Sequence, residues 1–198
     1  ASRLVSLGAH SEPSNARIAA ALAAARAAGD TLGGIFELRI TGLPAGLGGF
    51  SQGAARLGSR LAAAMFSINS VKGFEVGGGF SLAALEGRKV SRYPLLSGGL
   101  DGGMTNGCPL VLRCAVKPVP GLAAGAPSRD LKSFKRTSSA SKTSDTTSVF
   151  AAAVIAEHMA ALELADALLE KFGGDSLAEI LPRVKLWRRR TARLVSPS

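Results

Sequence analysis

The reading of this chain turns on Ser67-Ile68-Asn69-Ser70-Val71-Lys72-Gly73-Phe74-Glu75-Val76-Gly77-Gly78-Gly79-Phe80. Two further runs belong with it: Ser97-Gly98-Gly99-Leu100-Asp101-Gly102-Gly103-Met104-Thr105-Asn106-Gly107, and Cys108 to Lys117-Pro118. Glycine reaches positive φ without strain and lets a ligand or a second backbone come close. Successive turn N–H groups can then form a concave anion site. One cluster carries Lys72 and Asn69; the other is followed by Asn106 and Lys117. Together they predict a site for a polar, anionic, planar ligand.

The elements on either side set that site on a scaffold. From Leu110 to Lys117 the residues alternate, with Leu110, Leu112, Cys114 and Val116 on one face and Val111, Arg113, Ala115 and Lys117 on the other. This is the period of a strand, and it places two cations on one side. A phosphate or open solvent could equally be their counterpart. Ile35–Ile40 alternates in the same way, with Phe36, Leu38 and Ile40 opposite Glu37 and Arg39. Leu4–Leu7, Phe74–Val76 and Leu82–Leu85 are shorter strand candidates.

Three long helices are expected. Ser14 or Asn15 caps Ala16–Ala28, which Gly29 closes. Ser51–Phe66 turns Leu57, Leu61, Ala64, Met65 and Ile68 inward and Arg56 and Arg60 outward. Ser148 caps Val149–Phe172, with Ile155, Met159, Leu162, Ala165 and Leu169 as core stripe and Glu163, Asp166 and Glu170 outside. Ser176 and Glu179 form a capping box for a last helix, which Pro182 should kink or restart. Its arginines around Trp187 read as a solvated face. Residues 120–147 are rich in Pro, Gly, Ser and Thr and read as a mobile loop.

Composition bounds the function. The 198 residues are enough for one core, read here as a single domain over residues 1–198. Apolar residues make up 46%, and 24 glycines accompany a net charge of +10. That charge suits an anionic small molecule or nucleic acid, but scarce aromatics speak against single-strand stacking. Cys108 and Cys114 lie six residues apart on one expected strand, about 20 Å, too far for a disulfide. Reduced thiols and no visible signal peptide give the expectation of a cytoplasmic protein. His10 and His158 are the only histidines, and no metal-ligand spacing, P-loop or dinucleotide fingerprint is present. His158 falls in a helix expected to be core and reads as structural.

The blocks SINSVKGFEVGGGF and SGGLDGGMTNG and the pair Lys117-Pro118 resemble the chorismate synthase family. So do GDTLGG (29–34), GLPAGLG (42–48), TSDTT (143–147) and LEKFGGDS (169–176). The order is the family's own, over roughly the C-terminal half of its chain. The resemblance implies an α+β fold with antiparallel sheet layers covered by helices, a β-α-β sandwich present in part, and a homotetramer. It implies reduced FMN as cofactor, with NADPH the candidate reductant of the flavin. It also implies 5-enolpyruvylshikimate 3-phosphate as substrate, losing phosphate and a proton to give chorismate in the shikimate pathway.

Matched residue by residue, Asn69, Ser70, Gly102, Lys117, Pro118, Val119, Pro120, Gly121 and Thr143 fall on the family's flavin-contacting positions. Asp145 falls on the aspartate near the flavin's reactive nitrogen, which makes it the candidate catalytic residue. Thr143 stands where the family carries an arginine. Residues 86–96 stand where the family carries a longer insertion, and the family's two catalytic histidines belong to its other half. Two rival readings are a non-catalytic remnant that keeps the sheet and its assembly surface, and a basic nucleic-acid-binding module.

Overall fold

The chain is described by a computed structural model covering residues 2–7, 10–11, 14–141 and 145–195. Two alternating runs become its central strands, β3 (Gly34–Ile40) and β7 (Leu110–Val116). They pair antiparallel along their whole length, Gly34 opposite Val116 and Ile40 opposite Leu110. β4 (Val71–Val76) joins the far side of β7, and β1 (Ser2–Leu7) with the short β2 (His10–Ser11) extends the side of β3. The order β2-β1-β3-β7-β4 is antiparallel throughout.

The pleat sorts β7 as expected. Leu110, Leu112, Cys114 and Val116 are buried with Phe36 and Leu38 beneath two helices. On the open face a cross-strand charge row forms instead of an anion site: Arg113 stands in register with Glu37 and Glu75. The Arg113 guanidinium donates to Glu75 at 2.6 Å, and Arg3 donates to Glu37 at 3.0 Å. Arg113 is therefore committed within the sheet and does not join Lys117 on a phosphate.

The helices covering the buried face are α2 (Leu57–Phe66) and α4 (Val149–Phe172); α1 (Asn15–Ala27) precedes β3. Ser14 caps α1, accepting from the Arg17 N–H at 3.3 Å. α2 is shorter than its sequence period suggested. Residues 53–55 form a tight turn and Arg56 is extended, because Leu57 must bring its N–H to the Gly103 carbonyl at 2.9 Å.

α4 departs further from expectation. Its buried residues are Val149, Ala152, Ala153, Ala156, Ala160, Leu164, Ala167 and Phe172. The bulkier stripe expected inside is mostly outside: Ile155 is 49% exposed, Leu162 66% and Leu169 46%. Alanine lets α4 lie close to the sheet and α2, and a helix apolar on every side gives periodicity nothing to choose between. His158 is accordingly exposed, its Nδ1 2.8 Å from the Val154 carbonyl oxygen, not in the core.

The acidic row of α4 faces outward as expected, with Asp166 64% and Glu170 58% exposed, but it has a partner. Glu163, Asp166 and Glu170 all meet the Arg60 guanidinium of α2; the Glu163 and Glu170 contacts are 3.0 and 2.8 Å. The Arg60 side chain is only 13% exposed. Burial alone would lower its pKa, but hydrogen bonds and charge from Glu163 and Glu170 outweigh that and raise it.

α5 (Leu177–Val195) runs through Pro182 without restarting. Pro182 is the sixth residue of the helix, and its missing N–H forgoes one backbone bond, that to the Ala178 carbonyl. Ser176 Oγ donates to the Glu179 carboxylate at 3.1 Å, and the Glu179 N–H donates to the Ser176 carbonyl, so the two residues pair at the helix start without the reciprocal side-chain-to-backbone bonds of a capping box. The helix is docked and not simply solvated: the Trp187 indole donates to Ala45 O at 2.7 Å, with the Lys171 ammonium 4.0 Å from the ring centre. Arg183 donates to Phe172 O at 2.7 Å, and Arg188 donates to Gly42 O. The short α3 (Gly87–Arg92) lies in the basic segment before the second glycine cluster.

Two expected loops and strands change identity. Leu82–Leu85 is no strand, since residues 79–84 form a 3₁₀ helix. The 120–147 segment is not irregular throughout, because β8 (Ala126–Arg129) and β9 (Arg136–Ser139) pair as a hairpin. Asp130 organises its tip, accepting from the Ser133 N–H and Oγ at 2.6 and 2.8 Å and from the Lys132 N–H at 3.1 Å. Composition hid the hairpin because its strands, Ala-Pro-Ser-Arg and Arg-Thr-Ser-Ser, are mostly exposed and show no alternation of apolar and polar residues.

The glycine clusters serve the backbone. Gly77 and Gly98, with φ of 59° and 62°, face each other so closely that a Cβ on either would strike the other's backbone. Backbone bonds close the contact: Gly77 N–H to Val111 O, Gly78 N–H to Leu96 O, and Val111 N–H to Gly98 O, at 2.9, 2.9 and 3.0 Å. The Gly77 and Gly78 N–H groups are therefore already taken. Gly98→Ala is therefore expected to destabilise the fold by about 2–4 kcal/mol, combining a left-handed φ with a backbone clash. Gly102→Ala, at φ 60° with nothing within 4 Å of a new Cβ, is expected to lose only about 1 kcal/mol. Urea denaturation midpoints at unchanged m-value give the comparison; equal losses would show that packing at Gly77–Gly98 is not the cause.

The cysteines are both free. Cys114 is fully buried on β7, while Cys108 lies in the turn before that strand, its N–H donating to Asn106 Oδ1 at 2.9 Å. Burial pushes the Cys114 thiol up to about 12 from 9.0. The folded state thus keeps its proton where the unfolded chain loses it. That contribution to stability is complete below about pH 9 and is lost as pH rises from there toward 12. A thiol reagent at neutral pH should label Cys108 in the native chain and leave Cys114 until unfolding. Labelling of both in the native chain would contradict this burial.

Candidate functional site

The register of the sheet fixes which candidate residues meet. Val71 of β4, Val116 of β7 and Gly34 of β3 share one end of the sheet. The segments that continue from them are 67–70, 117–121 and 30–33. Lys117 N–H donates to Ser70 O at 2.9 Å, and Thr31 Oγ1 donates to Val119 O at 2.7 Å. Leu32 N–H donates to Thr146 O at 2.7 Å, which brings in the chain entering α4. Gly33 lies against Val116 and Pro118 with no room for a side chain. Asn69, Ser70, Lys117, Pro118 and Val119 thus converge from separate parts of the sequence. Pro120 and Gly121 follow directly, with Asp145 beside Thr146.

Gly102 does not join them. It occupies the turn between β5 (Leu100–Asp101) and β6 (Met104–Thr105), next to Gly103, whose carbonyl receives the first N–H of α2. Asn69 follows the last turn of α2, so the ten residues of that helix, about 15 Å, separate the two. Asn106 is likewise structural: its amide donates to Asp101 at 2.7 Å and its carbonyl oxygen receives the Cys108 N–H. Thr143 lies outside the described residues.

Between the α2–β4 turn and the start of α4 is a cavity of about 360 Å³. Ser67, Asn69, Ser70 and Ser148 lie on one side of it; Ile68, Ala151, Ala152, Ile155 and Met159 bring its apolar wall. One polar side and one greasy side suit a flat amphipathic ligand, and the volume is in the range of small-molecule sites. Ser70 holds φ 71°, a left-handed conformation that disfavours side chains by about 1–2 kcal/mol. Its carbonyl bond to Lys117 helps keep it there. Such strain concentrates at functional sites.

Two lysines stand close by. The Lys117 ammonium reaches the Pro118 carbonyl at 3.4 Å, and Lys72 is exposed. Asp145 is exposed three residues before Ser148. Ser148, expected to cap α4, makes no side-chain capping bond. The Val149 N–H instead donates to Thr147 Oγ1 at 3.3 Å, and Ser148 Oγ is buried with no hydrogen-bond partner among the described residues. No group of three or more metal-ligating side chains occurs among the described residues. None of their helices is long and apolar enough to cross a membrane.

Comparison with known proteins identifies the setting of this site. The family model for chorismate synthase matches residues 5–169. The chorismate synthase of Desulforamulus reducens is 44% identical over 83% of this chain and 46% of its own length. That of Nocardia farcinica is 42% identical over 88% of this chain and 46% of its own. For Mycobacterium tuberculosis the figures are 41%, 96% and 50%. A crystal structure of chorismate synthase superposes with a TM-score of 0.77 at 28% identity, covering 97% of this chain and 63% of that one. The chain spans about half the length of these relatives. Its antiparallel sheet under helices is the architecture of that solved enzyme, and by sequence and fold the chain belongs to the chorismate synthase family.

Proposed function

We propose that this chain carries the flavin-binding part of a chorismate synthase, and that reduced FMN sits at the end of the sheet where Asn69, Ser70 and Lys117-Pro118 converge. The observation that carries the reading is that convergence, with Asn69 and Ser70 also lining a mostly apolar cavity of about 360 Å³, in a chain of this family. The residues present fit such a group. Asn69 and Ser70 stand on the polar side of the cavity, and its other wall is apolar. Asn69 and Ser70 would meet polar atoms of the flavin ring. Lys117, a point charge on a flexible stem, would meet an anionic oxygen. The bound flavin would supply the electron-rich ring on which the family's loss of phosphate depends.

On this reading Asp145 handles a proton at the flavin edge, and 5-enolpyruvylshikimate 3-phosphate is the substrate. The homotetramer, with NADPH as reductant of the flavin, belongs to the same proposal. The non-catalytic reading keeps one point of support. Among the described residues the site contains no histidine, and His158 lies exposed on α4. The nucleic-acid reading is weakened because Arg183 and Arg188, in the basic cluster that suggested it, bond to backbone carbonyls.

Two measurements test the proposal. Lys117→Ala should weaken FMN binding by roughly 1–3 kcal/mol, the scale of one charge-assisted hydrogen bond. An unchanged FMN titration would remove Lys117 from the site. Asp145→Asn should slow chorismate formation from 5-enolpyruvylshikimate 3-phosphate by ~10²–10⁴-fold with an unchanged melting temperature. No chorismate from the unaltered chain, together with normal FMN binding, would favour the non-catalytic reading.

A further inference from the structure

Helical spacing sorts the basic cluster of α5. Arg183, Leu186, Trp187 and Arg190 recur at the interval of a helical turn, so they share one face. Arg188 is turned another way, to Gly42 O. Lys171, in the last turn of α4, meets that shared face, its ammonium 4.0 Å from the centre of the Trp187 ring. Arg183 approaches the same helix end, donating to Phe172 O at 2.7 Å. Between the two helices is a cavity of about 240 Å³, lined by Lys171, Phe172, Arg183, Leu186, Trp187 and Arg190.

Three cations therefore line one small space, and no acid does. Glu170, next to Lys171, meets Arg60 at 2.8 Å, and Glu179, shortly before Arg183, receives the Ser176 hydroxyl at 3.1 Å. Among the described residues none of Lys171, Arg183 and Arg190 forms an ion pair. The carbonyl end of α4 supplies only about half a negative charge. Against three full positive charges it leaves an excess that a bound anion would neutralise. The Arg183 guanidinium keeps N–H donors beyond the one given to Phe172 O. A cleft lined by one sign of charge, with apolar walls, concentrates the counter-ion, and here Phe172, Leu186 and Trp187 are those walls. The volume is below the roughly 300–1,000 Å³ of drug-sized pockets, so the ligand that fits is a single ring with its charged group.

We propose that this cleft is a second ligand site, for a small oxyanion carried on one ring. Its carboxylate or phosphate meets the Arg183 and Arg190 guanidinium groups, and its ring lies along Leu186 and Trp187. The site is independent of the flavin reading. α4, 24 residues and about 36 Å long, has the flavin cavity at its start and this cleft at its end.

Trp187 is the only tryptophan in the chain, so its emission reports on the cleft. The full chain is titrated with phenyl phosphate, benzoate and inorganic phosphate, by calorimetry and by Trp187 emission. Phenyl phosphate or benzoate should bind saturably, heat and emission following one curve, and the tighter of the two identifies the oxyanion. Arg190→Gln should weaken that binding about 10-fold, the loss of one charge-assisted hydrogen bond. Arg189→Gln removes an equal charge that does not line the cleft, and should bind within about 2-fold of the parent. No saturable binding of either ring compound below about 10 mM would overturn the site. Saturable heat without a change in Trp187 emission would place the ligand elsewhere and overturn it as well. Equal weakening by the two substitutions would do the same, as the mark of a diffuse positive field. Inorganic phosphate binding as tightly as the ring compounds would overturn the ligand class and leave an adventitious ion only.

Discussion

The antiparallel pairing of α2 and α4 controls the rest of the molecule. Alanines on the buried side of α4 set the distance, and Arg60 sets the register by meeting Glu163, Asp166 and Glu170 together. These carboxylates are three and four residues apart, so they stack along one helical row and offer a single guanidinium three sites. An exposed ion pair adds little to stability, but a largely buried cation shared by three acids is harder to replace. Pinned at that end, the helices present their other ends together: the turn after α2, with Asn69 and Ser70, and the start of α4, with Ser148. The cavity lies between those two ends.

Strand patterning was legible because one side of each central strand is buried and the other is not. Phe36, Leu38, Leu112 and Cys114 declared their face, and the Ser14 cap and the Ser176–Glu179 pair declared helix starts. The inner face of α4 was not legible, because Ile155, Leu162 and Leu169 are as apolar as the residues actually buried. What decides there is size. The close approach of α2 and the sheet admits Ala153, Ala156 and Ala160, and turns the larger side chains out. Acids at positions 163, 166 and 170 read only as an outer face, because nothing in sequence distance tied them to Arg60.

The candidate site was legible in part for a similar reason. Residues 69–70 and 117–118 sit at ends of neighbouring strands, so recognising the strands nearly suffices to bring them together. Gly102 sits at the end of a hairpin beyond α2, and only the path of that helix shows the separation. The glycine clusters misled because two uses of glycine look alike in sequence. A turn that offers its N–H groups to an anion and a turn that lets two backbones touch both need residues without Cβ. Ser148 was legible as a helix start but not as an unsatisfied hydroxyl, since that depends on Thr147 reaching the Val149 N–H first.

The contact between Gly77 and Gly98 makes residues 78–97 a bypass. The chain leaves the sheet and returns to it at one point, through bonds such as Gly78 N–H to Leu96 O and Val111 N–H to Gly98 O. β4 and β7 therefore keep their register whatever lies between. Loop closure grows only by about 0.6 kcal/mol for each doubling of length, so the bypass can lengthen or shorten at little thermodynamic penalty. Evolutionary tinkering with chain length is cheapest there, at the opposite end of the sheet from the cavity, where a change would leave the ligand-facing turns undisturbed.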